Sequence, residues 1–185
     1  MNDMPKLLIT AATGLLICGI AGLAPAQEAK KKQERASPHE TISTDVGGHK
    51  VTITYGRPYM KNRKIVGGLV PYGKVWRTGA DEATTIQTDV DLDINGLKVP
   101  AGEYALFTLP NKDGWTLIIN KTAKQWGAFN YVQADDLGRA PMQVSKSSSP
   151  VDQFTISLRP AESNSVTLKL EWENAVASAT LKVVQ

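Results

Sequence analysis

Strict alternation near the C-terminus restricts this chain more than any other feature. Val166, Leu168, Leu170 and Trp172 alternate with Thr167, Lys169 and Glu171, and the beat resumes with Ala177, Ala179, Leu181 and Val183 against Ser178, Thr180 and Lys182. Successive side chains of a strand point to opposite faces, so a period of two marks strands with one buried face. Glu173-Asn174-Ala175 then reads as a hairpin connection. The pattern opens at His49, where Val51, Ile53 and Tyr55 alternate with Thr52 and Thr54. Asn95-Gly96 between DLDI and LKVP is a hairpin signal, because both central residues tolerate positive φ. Pro100-Ala101-Gly102 and Asn111-Lys112-Asp113-Gly114 punctuate the runs YALFTL and WTLIIN. No long window repeats every 3.6 residues, although 135–138 can close one helical turn. The expectation is a single all-β domain, an antiparallel two-sheet β-sandwich of jelly-roll or Greek-key type.

The N-terminus reads differently. Lys6 precedes an apolar run over residues 7–23, and Ala24-Pro25-Ala26 gives a small-x-small exit, the pattern of an export signal. The run is shorter than the ~20 residues that span a bilayer, so cleavage after Ala26 is preferred to a retained anchor. The expected organisation is a signal over 1–26, a charged flexible linker over 27–40 and the β domain over 41–185. Cys18, the only cysteine, follows Ile17 rather than the small residue a lipid-modification signal wants. A mature chain without cysteine has no disulfides and relies on its core in an oxidising compartment. The net charge is +3, and the tail carries Lys30, Lys31, Lys32 and Arg35 against Glu28 and Glu34. The rest is close to neutral, which argues against nucleic acid as a partner. Periplasmic or secreted localisation follows, with no membrane span after cleavage; the oligomeric state is not legible.

Two segments break the alternation, 56–80 and 121–144, and long loops in compact domains tend to be functional. Gly68 to Lys74 has the spacing of a phosphate loop, but Val75 replaces the metal-binding hydroxyl and Pro71 removes a donor. Asp89, Asp91 and Asp93 have calcium-loop spacing, but Ile94 stands where glycine is needed, so they read as the wet face of a strand. His39 and His49 are too few for a zinc site, and no G-x-S-x-G elbow is present. No metal or cofactor is expected. Asn120-Lys121-Thr122 is a glycosylation sequon. Asp81 and Glu82 are the available catalytic carboxylates, yet strand neighbours diverge, so no catalytic residue is assigned. The ligand-binding candidates are Tyr55, Arg57, Arg63, Trp76, Arg77, Asp81 and Glu82, in which guanidinium forks and an aromatic face suit a polar ligand. In the architectural alternative Trp76 plugs the fold, Arg77 pairs with Glu82, and Gly79 supplies a conformation that side chains forbid.

The blocks SPHETI, VTITYGRP, NRKIVGGLVPYGKVWRTGADEATTI, LKVPAGEYALFTLP, GWTLIINK and QWGAFNY resemble, in order and spacing, the bacterial exported family catalogued as domain of unknown function 2911. The resemblance runs from about Ser37 to the C-terminus. It falls on Tyr55, Arg57, Pro58, Arg63, Ile65 and the run Val75 to Ala80, with Asp81 where the family usually has asparagine. It implies export to a bacterial envelope and carries over no activity. The expected function is a non-enzymatic module binding a polar ligand, a glycan or envelope component. The alternatives are a carboxylate-dependent hydrolase using Glu82 and a structural or assembly factor of the envelope.

Overall fold

The computed structural model describes residues 35–162 and 164–184; the expected export signal and the linker up to residue 34 lie outside the described residues. Among the described residues nine strands follow one another: β1 His39–Val46, β2 His49–Gly56, β3 Thr84–Thr88, β4 Leu92–Ile94, β5 Leu97–Val99, β6 Gly102–Asn111, β7 Gly114–Asn120, β8 Asp136–Pro160 and β9 Ser165–Val183. A 3-10 turn, Gln133–Asp135, precedes β8. Among the described residues no helix is long and apolar enough to cross a membrane.

The strands pair antiparallel in one open sheet of order β1-β2-β3-β6-β7-β8-β9-β4-β5. This differs from the expectation of two separate sheets, and the reason is β8. Its first residues, from Asp136 to Met142, pair with β7, and from Gln143 onward it pairs with β9, so one strand carries the ladder from the first group of strands to the second. Register shifts between Lys146 and Thr155 interrupt it, where Ser147, Ser148, Ser149 and Pro150 stand. An irregularity of this kind bends a strand and raises its local twist.

The end of β2 is tied back onto the far part of β8. The Tyr55 hydroxyl donates to Glu40 Oε2 at 2.7 Å and accepts from the Ile156 N–H at 2.9 Å. The Met60 N–H donates to Asp152 O and the Phe154 N–H to Pro58 O. One core cluster consequently joins Ile53, Ile86, Leu106 and Leu117 to Phe154, Ile156, Leu168 and Leu181, all at most 2% exposed. A second, small cluster of Ala83, Ala105, Phe107 and Ile118 lies on the other face of β6 and β7, covered by Val75, Ala128 and Tyr131. Burial on both faces explains why β6 lacks alternation.

Three local expectations change. β1 begins at His39, inside the stretch expected as linker, and precedes the strand read from His49. The segment 136–144, expected as loop, is strand, despite Gly138 and Pro141. Glu173-Asn174-Ala175 is not a hairpin: β9 runs through it, and Glu173 at φ 54° is a local irregularity that aims its carboxylate at the Ile65 and Val66 N–H groups.

Backbone contact is closest where β2 ends. A methyl group on Gly56 would lie 2.3 Å from Ala80 O, and one on Gly79 would lie 2.9 Å from Gly56 O. Both are main-chain neighbours that cannot step aside. We expect Gly56→Ala to destabilise the protein by about 1–3 kcal/mol, in the range of overpacking costs, read as a lowered midpoint in urea unfolding; an unchanged midpoint would show that this contact is loose.

Candidate functional site

The segment from Trp76 to Ala83 is built as a strap over β6. Trp76 and Thr108 exchange both backbone hydrogen bonds, at 2.8 and 2.9 Å. Thr78 then turns into the left-handed region at φ 56°. That conformation is unusual for a β-branched residue. It is held by the buried Thr78 hydroxyl, which lies 3.1 Å from that of Thr108, and by Thr84 Oγ1 donating to Thr78 O at 2.7 Å. Asp81 is also left-handed, at φ 63°. Beyond it the strap pairs with the second irregular segment: Ala83 N–H donates to Gln125 O, and Gly127 N–H to Asp81 O. The two segments that broke the alternation therefore meet.

Trp76 is 9% exposed and belongs to an aromatic cluster, stacked on Trp172 at 5.8 Å and edge-on to Phe154 and Trp115. Its Nε1–H donates to Gly79 O. This is the plug of the architectural reading, and Trp76 also helps to line a cavity of about 520 Å³. Arg63, Arg77 and Asp81 line that cavity with Tyr59 and Lys61. Arg63 is anchored to the carbonyls of Tyr59 and Met60. Arg77 and Asp81 are not anchored: among the described residues Arg77 Nε and Asp81 Oδ2 are buried without a hydrogen-bond partner. Burial draws the Arg77 pKa downward, and the nearby Asp81 charge opposes the shift. The nearest basic group to Asp81 is His39, whose Nδ1 stands 4.0 Å from Oδ2.

Glu82 goes elsewhere, which corrects the expected Arg77–Glu82 pair. It accepts from Arg35 Nη2 at 2.9 Å and lies 2.9 Å from His39 Nε2. It opens on a second cavity of about 490 Å³, lined also by Tyr55, Thr85, Gln125 and Trp126. Asp81 and Glu82, although adjacent, therefore line two different cavities. Arg57 lines neither: it is spent on Phe154 O, Thr155 Oγ1 and Glu40. Tyr55 is 1% exposed, and burial pushes its hydroxyl up to about 12, so it is a structural tie rather than a titrating group.

Sequence reasoning thus brought Arg63, Trp76, Arg77 and Asp81 to one cavity, and it missed Lys61, His39, Arg35, Gln125 and Trp126 as lining residues. SPHETI and QWGAFNY, the blocks that contain His39, Gln125 and Trp126, were the available signal. Among the described residues no group of three or more His, Cys, Asp or Glu side chains is arranged to hold a metal ion. Asp89, Asp91 and Asp93 instead accept from the N–H groups of Lys50, Ala101 and Gly96 respectively.

Residues 37–181 match the model of a family described as protein of unknown function (DUF2911). The chain belongs to that family. Neither the curated proteins nor the solved structures contain a match to it. The matched span of this DUF2911 chain begins just before β1 and takes in the strap and most of the lining of both cavities, with Arg35 and Ala36 falling just outside it.

Glu82 gives the site a pH signature. Burial pushes its carboxyl upward, but hydrogen bonding from Arg35 and the charges of Arg35 and His39 overcome that and hold it below the ordinary carboxylate range. A depressed folded-state pKa stabilises above the unfolded value of about 4.3 and is lost as pH falls through the folded value. Wild type should therefore melt higher than Glu82→Gln at pH 7, with the gap closing below about pH 4. A gap that stays constant between pH 7 and pH 3 would remove the ion pair from the account.

Proposed function

We propose that this protein is an exported, non-enzymatic binding module of the bacterial envelope, which takes a small polar ligand carrying an anionic group in the Arg77–Asp81 cavity. One observation carries the reading: Arg77 Nε and Asp81 Oδ2, of opposite charge, are both buried without partners. A buried polar group left unpaired costs about 1–3 kcal/mol. A ligand that offers an acceptor to Arg77 and a donor to Asp81 removes both costs at once. Arg77 supplies the planar fork suited to a carboxylate or phosphate, and Lys61 and Arg63 give the cavity an excess of positive charge. A carboxylate flanked by hydroxyls, as in an acidic sugar of an envelope glycan, has the required groups.

The hydrolase reading lost its main support when Asp81 and Glu82 opened on different cavities. An acid–base pair must reach one reacting bond. An assembly role has in its favour the exposed apolar side chains Tyr59, Leu69, Tyr72, Phe129, Val132 and Val144, of which Phe129 is the most exposed at 87%.

Binding is tested by calorimetry with glucuronate, galacturonate and inorganic phosphate, with sodium chloride as the ionic-strength control. Arg77→Ala should weaken the anion that binds by about 10- to 150-fold, the equivalent of a hydrogen bond to a charged group. Arg77→Lys should fail to restore it, because an ammonium lacks the bidentate fork. If no anion binds, or if Arg77→Ala binds as wild type does, the reading is wrong. Export is tested separately by N-terminal sequencing of the protein recovered from the periplasmic fraction, with Gln27 the expected first residue; recovery of the intact N-terminus from the membrane fraction would instead support the anchor.

A further inference from the structure

We propose that the second cavity is a separate site for a neutral sugar, recognised through Gln125, Thr85 and Trp126. The deciding atom is Gln125 Oε1, which among the described residues is buried without a partner. Its orientation is fixed by chemistry. Gln125 Nε2 donates to Thr122 O at 2.7 Å and to Asn120 Oδ1 at 3.3 Å, and both of those are acceptors. A flipped amide would set oxygen against oxygen, so the nitrogen stays where it is and the carbonyl is left buried and unpaired among the described residues. Asn120 is 0% exposed and itself held by the Val132 carbonyl and Asp136. The free acceptor is thus mounted on a rigid base at the end of β7, and it calls for a donor.

Charge decides what kind of donor. The cavity brings Arg35 and Lys124 together with Glu82 and Glu103, and these pair off, Arg35 on Glu82 at 2.9 Å and Lys124 near Glu103 at 3.8 Å. The lining has no net excess among these four groups, so a hydroxyl is favoured over an ammonium or a carboxylate. Trp126 contributes a half-buried indole; an aromatic body of this kind suits the apolar C–H face of a sugar ring. Thr85 supplies a hydroxyl that can donate or accept. A volume of about 490 Å³ accommodates one or two sugar rings. The contrast with the first cavity, where Lys61, Arg63 and Arg77 outnumber Asp81, makes the two sites distinct in chemistry as well as position.

The test is an NMR titration of the purified protein with glucose and with cellobiose, following the Gln125 side-chain amide and the Trp126 indole N–H. Saturable shifts of both resonances are expected. Gln125→Leu should weaken binding by about 3- to 10-fold, the equivalent of one neutral hydrogen bond. Because that change also removes a partner of Asn120, Thr85→Val provides a second reading with the same expected direction and no effect on Asn120. Absence of saccharide shifts, or unaltered affinity in both variants, would overturn the proposal. It would equally be overturned if butylammonium chloride moved these resonances and the sugars did not.

Discussion

The tie between the end of β2 and the far part of β8 is the contact on which the rest of the molecule depends. A nine-stranded antiparallel ladder has no intrinsic reason to enclose anything; its apolar face must meet another apolar face to leave water. Here Tyr55, Arg57, Pro58 and Met60 reach Asp152, Phe154 and Ile156 by main-chain and side-chain hydrogen bonds. That contact sets Ile53 and Ile86 against Phe154 and Leu168 in one buried cluster. Arg57, which looked like a ligand-gripping cation, contributes here, with its guanidinium used up on β8 and Glu40.

The strap inherits its position from the same place. Gly56 closes β2 directly beneath Ala80, with no room for a side chain on either Gly56 or Gly79. Thr78 and Asp81 take left-handed backbone conformations on either side of that contact. Backbone in sparsely populated regions persists only where its surroundings over-determine it, and such residues gather at ligand sites. In this case the surroundings are threonine hydroxyls from Thr84 and Thr108, which replace the hydrogen bonds a regular strand would have supplied. The consequence is that two neighbouring carboxylates diverge, with His39 in reach of both.

Much of the strand content was legible because burial on one face writes itself into the sequence as alternation, as in β2 and β9. β1 was not, since Thr41, Ser43 and Thr44 surround Ile42 and only Val46 of the strand is fully buried. The start of β8 was hidden by Gly138 and Pro141, residues that normally punctuate strands. The irregularity at Glu173 looked like a turn because a break in alternation does not distinguish a reversal from an irregularity within one strand. At the site, residue types were legible and pairings were not. Glu82 finds Arg35 and His39, 47 and 43 residues away in the chain, where adjacency had suggested Arg77. Which charge is satisfied depends on topology, and topology was the part that alternation could not supply.

The buried amide of Asn120 has one more consequence. It stands first in an Asn-Lys-Thr sequon, and its side chain is also the support that orients Gln125 and meets Val132 and Asp136. Glycosylation would leave this nitrogen a single hydrogen, so it cannot carry a glycan and still donate to both the Val132 carbonyl and Asp136, and its fully buried position has no room for a sugar. Folding and modification at this asparagine are therefore mutually exclusive events competing in time, and a chain that folds first has withdrawn the sequon from any enzyme that reads it.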